Sequence, residues 1–556
     1  MPESFGLRHS RLRSFVPLAF GLALLCTPLL LVAVPSEIPF GAYQVSGTVV
    51  NRIGGHPLAG ARVTVGDARH RESVVSMVTA DDGRFVFHVP AGKYSLGAEK
   101  RGFLPSSYKE HEQFSTAIVT GTGFDTESLV LQLAPNPVLK GKVIDEAGEP
   151  VRDATVIVLR ESHQSGISQI RPTLQVKTDD QGTYEATPLD EGTYFVSVQA
   201  KPWYAVHGIP VRTGDTTVPS MVDPSLDVAY PITYYGDTTE ADEATPIPIR
   251  GGAKVEADIH LTPAASLHLI VHVANNGTNG YSMPMIQEQS FDGMEHIQPA
   301  QVTQLSPGVF EITGIPAGHY TLRQVGGPQR QTNEPTEVEL SPTNSEIDMT
   351  SGSPTSAVKA KIQMADGSQL PVPLRVAMRN SKGRVAAIRP VSAEGEATFT
   401  NISAGQYEFR AASPNKPYAV TVATANGAST GNKLDVSSGS PVEVTLSLVG
   451  GEITVEGVAE KSGKPFSGAM VVLVPQDPEL KHEYFRRDQS DMDGTFSLLQ
   501  AFPGNYTVIA IENGWDLDWG KPEVLAQYTR RGQSITVLSQ GRGSIKLAQP
   551  VEVQPK

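Results

Sequence analysis

The feature that most constrains the fold of this 556-residue chain is a short pattern that occurs five times. Each copy has a glycine-centred turn, an apolar segment, a Gly-x-Tyr triplet and a segment in which apolar and polar residues alternate. Successive tyrosines lie 100, 126, 87 and 99 residues apart. Repeats of solenoid proteins span roughly 20–50 residues, so this spacing indicates tandem domains. The repeated pairs are Gly92 and Tyr94, Gly192 and Tyr194, Gly318 and Tyr320, Gly405 and Tyr407, and Gly504 and Tyr506.

The residues around each triplet predict antiparallel β-structure. After the first triplet Tyr94, Leu96 and Ala98 alternate with other residues, which is the period of a half-buried strand. Asp-Gly turns supply the positive φ that tight hairpins need. The repeated tyrosine is expected to point inward at a corner, with its hydroxyl bonded to the backbone. No segment from residue 43 to residue 556 has a convincing helical stripe.

These patterns predict an all-β chain, a string of about five immunoglobulin-like or transthyretin-like β-sandwich domains. Earlier halves such as VSGTVV from Val45, and closing segments such as VEVTLSL from Val442, complete each copy. The third and fourth copies are the more divergent ones. The expected domains span residues 43–135, 136–263 with a linker at 205–250, 264–350, 354–449 and 450–550.

The N-terminus has the pattern of an export signal. Arg8, Arg11 and Arg13 precede an apolar run at residues 15–34 that contains the one cysteine, Cys26. A cleaved signal has an apolar region of about 7–15 residues and a spanning helix needs about 20, so residues 1–35 are either a signal peptide or a membrane anchor. Either alternative predicts an exported protein in the periplasm, at the cell surface or secreted, with membrane contact only through this segment.

A set of short motifs recurs in the same order in several copies, and in the first copy its residues are Gly47, Pro57, Gly60, Ala61, Asp82, Gly83, Phe85, Gly92 and Tyr94. This set resembles the motifs of the carboxypeptidase regulatory-like domain family. Copies one, two and five match these motifs throughout, whereas copies three and four match mainly in their second half. The resemblance implies a transthyretin-like sandwich, grouped with carbohydrate-binding-like folds, and an accessory, non-catalytic role in exported bacterial proteins.

The sequence offers no catalytic, cofactor or metal constellation. It has no His-Glu-x-x-His zinc helix, no Gly-x-Ser-x-Gly nucleophile turn and no Walker-type phosphate loop. His268 and His272 lie on an expected strand, about 13 Å apart, which is too far for one zinc ion. Asp491, Asp493 and Gly494 resemble the start of a calcium loop, but their place in the repeat favours a hairpin turn. The net charge of −14 disfavours a nucleic-acid partner.

Aromatic residues recur in one loop of several copies. Phe103, Trp203 and Trp515 each lie nine residues after the repeated tyrosine, and Tyr204 and Trp519 are beside them. Exposed rings at such positions can stack on sugars or anchor a protein partner. The alternative is a hydrophobic lid that closes the end of each sandwich.

The expected function is therefore that of a non-enzymatic, exported scaffold that binds an envelope protein or a glycan, or serves as a spacer. Carbohydrate binding through the loop aromatics is one alternative, and an accessory subunit of a hydrolase is another.

Overall fold

The computed structural model describes residues 40–68, 73–208, 211–213, 216–218, 223–273, 283–325, 336–350, 355–381, 385–414, 416–424, 431–478, 482–538 and 543–556. The predicted signal or anchor at residues 1–35, with Cys26, lies outside these ranges. In the described part of the chain, no helix has the length and apolar character needed to cross a membrane. The fold there is all-β, as the repeats predict.

The first domain is a sandwich of two sheets, ordered β4-β1-β8 and β3-β2-β5, with β6 and β7 also paired to β5. Alternating side chains of both sheets, such as Phe85 and Leu96, form one buried core. Its strands are β1 (Tyr43–Asn51), β2 (Arg62–Asp67), β3 (Val74–Val78), β4 (Arg84–Val89), β5 (Gly92–Glu99), β6 (Ser106–Ser107), β7 (Ile118–Thr120) and β8 (Leu129–Leu133).

The second domain has the same plan with a longer loop region. Its sheets are β12-β9-β19, to which β20 adds, and β11-β10-β13-β17, to which β18 adds. Its strands are β9 (Val138–Ile144), β10 (Thr155–Ser162), β11 (Gln169–Lys177), β12 (Thr183–Ala186), β13 (Gly192–Gln199), β14 (Val211–Thr213), β15 (Thr216–Val218), β16 (Val228–Ala229), β17 (Thr233–Tyr234), β18 (Ile247–Ile249), β19 (Lys254–Glu256), β20 (Ile259–His260) and β21 (Ala264–Ala265). Two 3₁₀ turns lie at Pro224–Leu226 and Ala241–Glu243.

The third domain is also a sandwich of two sheets, whereas the strands of the fourth domain enclose one buried core within a single sheet. The third has the sheets β25-β26-β22-β29 and β24-β23-β27-β28, and the strands of the fourth form one continuous eight-stranded sheet. The strands of the third are β22 (Leu267–Val273), β23 (Met283–Ser290), β24 (Gly293–His296), β25 (Gln301–Ser306), β26 (Val309–Ile315), β27 (Gly318–Val325), β28 (Thr336–Leu340) and β29 (Glu346–Met349). Those of the fourth are β30 (Ser356–Met364), β31 (Arg375–Asn380), β32 (Val385–Pro390), β33 (Glu396–Ile402), β34 (Gly405–Ser413), β35 (Lys416–Thr424), β36 (Lys433–Val436) and β37 (Val442–Gly450).

The fifth domain differs from the sequence expectation in two places. Its last strand, β46, lies beyond the expected end at residue 550 and pairs with β38 and β43. The helix α1 (Pro522–Thr529) is too short to show a helical stripe over three turns. The strands are β38 (Ile453–Lys461), β39 (Lys464–Pro465), β40 (Met470–Pro475), β41 (Arg486–Gln489), β42 (Thr495–Ala501), β43 (Gly504–Glu512), β44 (Gln533–Val537), β45 (Gly543–Lys546) and β46 (Val551–Pro555), and a 3₁₀ turn spans His482–Tyr484.

One glycine turn has the same geometry in all five domains. Gly83, for example, has a φ of +70°, and a Cβ built on it would lie 2.7 Å from the carbonyl oxygen of Val49 on the first strand. A side chain at this position would therefore clash as well as strain the backbone. The equivalent glycines accept a hydrogen bond from the first strand of their own domain; they are Gly83, Gly182, Gly308, Gly395 and Gly494.

The repeated tyrosine also has one geometry throughout. Each ring is buried, and each hydroxyl donates to the carbonyl oxygen of the residue four positions earlier. Because the bond closes a local turn, it fixes the corner that leads into the following strand. The bonds run from Tyr94 to Pro90 at 3.1 Å, Tyr194 to Asp190 at 2.8 Å, Tyr320 to Pro316 at 3.0 Å, Tyr407 to Ser403 at 3.1 Å and Tyr506 to Phe502 at 2.7 Å.

The string of domains folds back on itself. The fifth domain contacts the first, where the backbone N–H of Met492 donates to the carbonyl of Ala117 at 3.1 Å. It also contacts the second, where the N–H of Gly520 donates to the carbonyl of Gly166 at 2.6 Å. The chain therefore returns to its beginning, which sequence repeats alone do not reveal.

Candidate functional site

The loop aromatics of the fifth domain lie in the contact with the first domain. Trp515 is only 9% exposed, and its ring stacks on His111 with centroids 5.1 Å apart and planes 6° from parallel. Phe114 packs on the same ring at 5.5 Å. His111 is held in turn by Gln489, with 2.9 Å between Nδ1 and Oε1. Trp515 therefore presents no free ring face on which a sugar could stack.

Arg487 joins the first and fifth domains through charge and aromatic contacts together. Its Nη2 lies 2.6 Å from Oε2 of Glu112, and the two side chains are 4% and 16% exposed. Its guanidinium carbon also lies 4.4 Å from the ring centroid of Trp519 and 5.4 Å from that of Phe114. An arginine enclosed by a carboxylate and aromatic faces is a strong, oriented contact. We call Glu112, Phe114, Arg487, Trp515 and Trp519 the clasp.

Trp519 is buried as well, at 8% exposure, where a hairpin of the second domain covers it. A Cβ built on Gly166 would lie 3.1 Å from its ring. The neighbouring Asp518 accepts from Nδ1 of His163 at 2.9 Å and from the backbone N–H of Ser168 at 2.8 Å. Burial opposes ionisation of Asp518, but its hydrogen bonds outweigh burial and lower its pKa. The ring and the carboxylate both serve the contact between the second and fifth domains.

The acidic turn of the fifth domain holds a lysine from the first. Nζ of Lys93 lies 2.6 Å from Oδ2 of Asp491 and 3.3 Å from Oδ1 of Asp493, and it also contacts Thr495. The ammonium group thus lies among the carboxylates where a calcium loop would place a cation. Within the described ranges, no group of three or more His, Cys, Asp or Glu side chains is arranged to hold a metal ion.

The remaining loop aromatics have different surroundings. Phe103 is partly buried against the core of its own domain, as a lid would be. Trp203 is 86% exposed, with Tyr204 at 5.8 Å in an edge-to-face arrangement. The hydroxyl of Tyr204 bonds to Glu146, and burial together with this carboxylate raises the pKa of Tyr204 to about 12. Among these loop aromatics, Trp203 therefore has the most exposed ring.

A cleft between the second and third domains was not predicted, because its walls come from distant parts of the sequence. It has a volume of about 260 Å³ and is lined by the ends of both sandwiches and by residues 228–232. Beside it, Nδ1 of His207 lies 2.8 Å from Asp227, and Asp227 lies 2.7 Å from Nε2 of His268. His268 also contacts Glu311 at 3.0 Å. Burial opposes protonation of His268, but the hydrogen bonds to Glu311 and Asp227 outweigh it and raise its pKa.

Comparison with known families supports the repeat analysis. The family model of the carboxypeptidase regulatory-like domain matches residues 44–129 and 138–222. The first and second domains therefore each match this family model. For the fifth domain, which the sequence analysis relates to the same family, membership stays a prediction. No curated protein sequence matches the chain.

Solved structures with similar sandwiches are only remotely alike. The Bacillus anthracis TIE protein is 11% identical, with 72% of this chain and 73% of that chain covered and a TM-score of 0.16. A streptococcal ancillary pilin is 14% identical, with 50% and 98% covered and a TM-score of 0.18. The minor pilin of Streptococcus agalactiae is 13% identical, with 40% and 95% covered and a TM-score of 0.21. Scores this low carry no argument about domain arrangement or function.

Proposed function

We propose that the protein is a non-enzymatic binding scaffold, exported to the cell envelope, that presents the Trp203–Tyr204 loop to a protein or glycan partner. The observation that supports this best is the contrast among equivalent loops. Trp515 and Trp519 are buried in contacts between domains, whereas Trp203 is 86% exposed. An exposed tryptophan costs solvation free energy, and aromatic anchors of this kind dominate binding interfaces.

The contacts between the first and fifth domains support a scaffold rather than a flexible spacer. Lys93, Glu112 and His111 of the first domain all bind the fifth domain. Contacts that fix the two ends of the string limit the positions that the loop can take relative to the rest of the chain. A pre-organised surface loses less entropy on binding. The proposal that the protein is exported rests on the basic residues and the apolar run within residues 8–34.

The proposal is tested by measuring how the purified full chain binds to the isolated envelope fraction. We expect Trp203→Ala to weaken binding by about tenfold or more, as hot-spot tryptophans do. Leu499→Ala is the matched control, because Leu499 is also exposed, at 59%, but lies on the fifth domain. Equal binding of Trp203→Ala and the wild type would remove the loop from the proposal. No binding by the wild type would contradict the envelope scaffold itself.

Carbohydrate binding at the same loop is the second candidate, because Trp203 and Tyr204 offer two rings at 85° to each other. Sugars bind such rings through their apolar faces. A glycan array probed at millimolar ligand concentration should then show binding that Trp203→Ala abolishes. No binding to any glycan at that concentration would leave a protein partner as the occupant.

A further inference from the structure

The cleft between the second and third domains has the composition of a small-molecule site. One wall carries Lys177 and Gln199 of the second domain, and the other carries Glu288 and Ile297 of the third. Tyr230, which is buried, also lines the cleft. Ligand pockets commonly have volumes of roughly 300–1,000 Å³. A cleft of about 260 Å³ therefore fits a ligand smaller than a typical drug.

The charge around the cleft favours an anion. Three basic side chains line it, Arg152, Lys177 and Lys201, and two acidic ones, Asp153 and Glu288. Arg152 is already paired with Asp153, at 3.1 Å. Lys201 donates to a backbone carbonyl at 2.8 Å. Lys177 is exposed, and its ammonium group has no hydrogen bond or ion pair with any residue that the structure describes. It is the basic group that is available to a ligand.

Glu288 supplies a different polar group to the cleft. It lies directly across from Glu295 on the neighbouring strand. Glu295 is engaged by the second domain, since it accepts from Ser197 at 3.1 Å and from Gln199 at 3.0 Å. Burial, with added repulsion from Glu295 and Glu240, raises the pKa of Glu288 to about 8. At neutral pH this carboxyl group is therefore mainly protonated and can donate a hydrogen bond to a ligand oxygen.

His207 adds an oriented nitrogen at the cleft. Its Nδ1 is bound to Asp227 at 2.8 Å, and Asp227 is also bound by His268. The imidazole is therefore held in one orientation, and its Nε2 has no partner among the described residues. When Nδ1 carries the proton, Nε2 accepts, so it suits a hydroxyl group of a ligand.

We propose that this cleft binds a small, hydroxylated organic anion of the class of a sugar acid or a monosaccharide phosphate. Lys177 pairs with the anionic group, Glu288 donates to a ligand oxygen, and His207 accepts from a hydroxyl. Tyr230 and Ile297 pack against the carbon skeleton. Trp203 does not line this cleft, so the site is independent of the function proposed above.

Calorimetric titration of the full chain at pH 7 with glucuronate, glucose 6-phosphate and glucose tests the proposal. We expect at least one of the two anions to bind at least tenfold more tightly than neutral glucose, and the stronger of the two identifies a carboxylate or a phosphate. Lys177→Ala should weaken that binding about tenfold, whereas Lys359→Ala, which removes an exposed lysine from the fourth domain, should leave it unchanged.

The Glu288 variants separate binding from folding. Glu288→Gln keeps a donor and should retain affinity within about threefold, while Glu288→Ala should lose tenfold or more. If Glu288→Ala does not fold, the affinities of Lys177→Ala and Glu288→Gln still test whether the anion binds in the cleft. Equal affinity for the anions and glucose would overturn the proposal. Anion binding that Lys177→Ala leaves unchanged would overturn it too.

Discussion

The clasp gives the sharpest prediction about how this chain is held together. Glu112→Gln removes the negative charge that faces Arg487, whose side chain is 4% exposed, and keeps the shape of the residue. Loss of one partner from a buried ion pair typically costs about 3–5 kcal/mol, because the remaining charge stays desolvated. Glu112 is 16% exposed, which favours the lower end, about 3 kcal/mol. A loss of this size raises the equilibrium constant for separation of the first and fifth domains by roughly 100-fold.

Hydrogen exchange measures this separation directly. The amide of Met492 donates to Ala117 across the contact, and the amide of Ala117 donates to Asp491 at 3.0 Å. Both protons should become exchangeable when the two domains part. We expect peptides that contain these amides to exchange about 100-fold faster in Glu112→Gln than in the wild type. Peptides from the core of the fourth domain should be unaffected.

A surface ion pair of the fifth domain provides the control. Lys461 and Glu512 are 2.6 Å apart, and their side chains are 44% and 28% exposed. Exposed ion pairs contribute about 0–1 kcal/mol to stability. Glu512→Gln should therefore change the exchange rates of the Met492 and Ala117 amides by only a few-fold. A double variant of Glu112→Gln with Arg487→Met should be less destabilised than the sum of the single changes. Exchange in Glu112→Gln that matches the control would refute the reasoning.

Two further predictions concern the free energy of unfolding. Glu288 holds its proton more tightly when folded, because its pKa is raised from the model-compound value of 4.5 to about 8. Its contribution to stability is therefore complete below about pH 4.5 and is lost as the pH rises through 8. Glu288→Gln should stabilise the third domain by about 3 kcal/mol at pH 7 and flatten this pH dependence. Urea unfolding at several pH values checks this, and an equal slope of the unfolding free energy against pH in both proteins would contradict it. Tyr506→Phe removes the 2.7 Å corner bond to Phe502 and should cost about 1 kcal/mol in urea unfolding, whereas a loss below a few tenths would show that the corner bond contributes little.

The repeats made most of the architecture predictable because their key interactions are local. A positive-φ glycine and a tyrosine bonded four residues back need only a few neighbouring residues. The same turns therefore marked the third and fourth domains, although the rest of their sequence diverges. The helix α1 and strand β46 were missed since one is only eight residues long and the other pairs with strands far earlier in the chain.

The loop aromatics show why the site could not be predicted to the same degree. Trp203 and Trp515 occupy the same place in their repeats, yet one is 86% exposed and the other 9%. The difference arises from His111 and Phe114, which lie about 400 residues before Trp515 in the chain. No pattern near either tryptophan carries that information.

The sequence by itself determined the all-β class, the repetition of one pattern and the corner that each copy uses, because strand alternation and tight turns are set by residues close together in the chain. Only the tertiary structure decided that the string closes, that Lys93 fills the acidic turn, and that a cleft forms beside Glu288. These features depend on side chains from different domains, and their burial and charge are defined only once the domains are packed together.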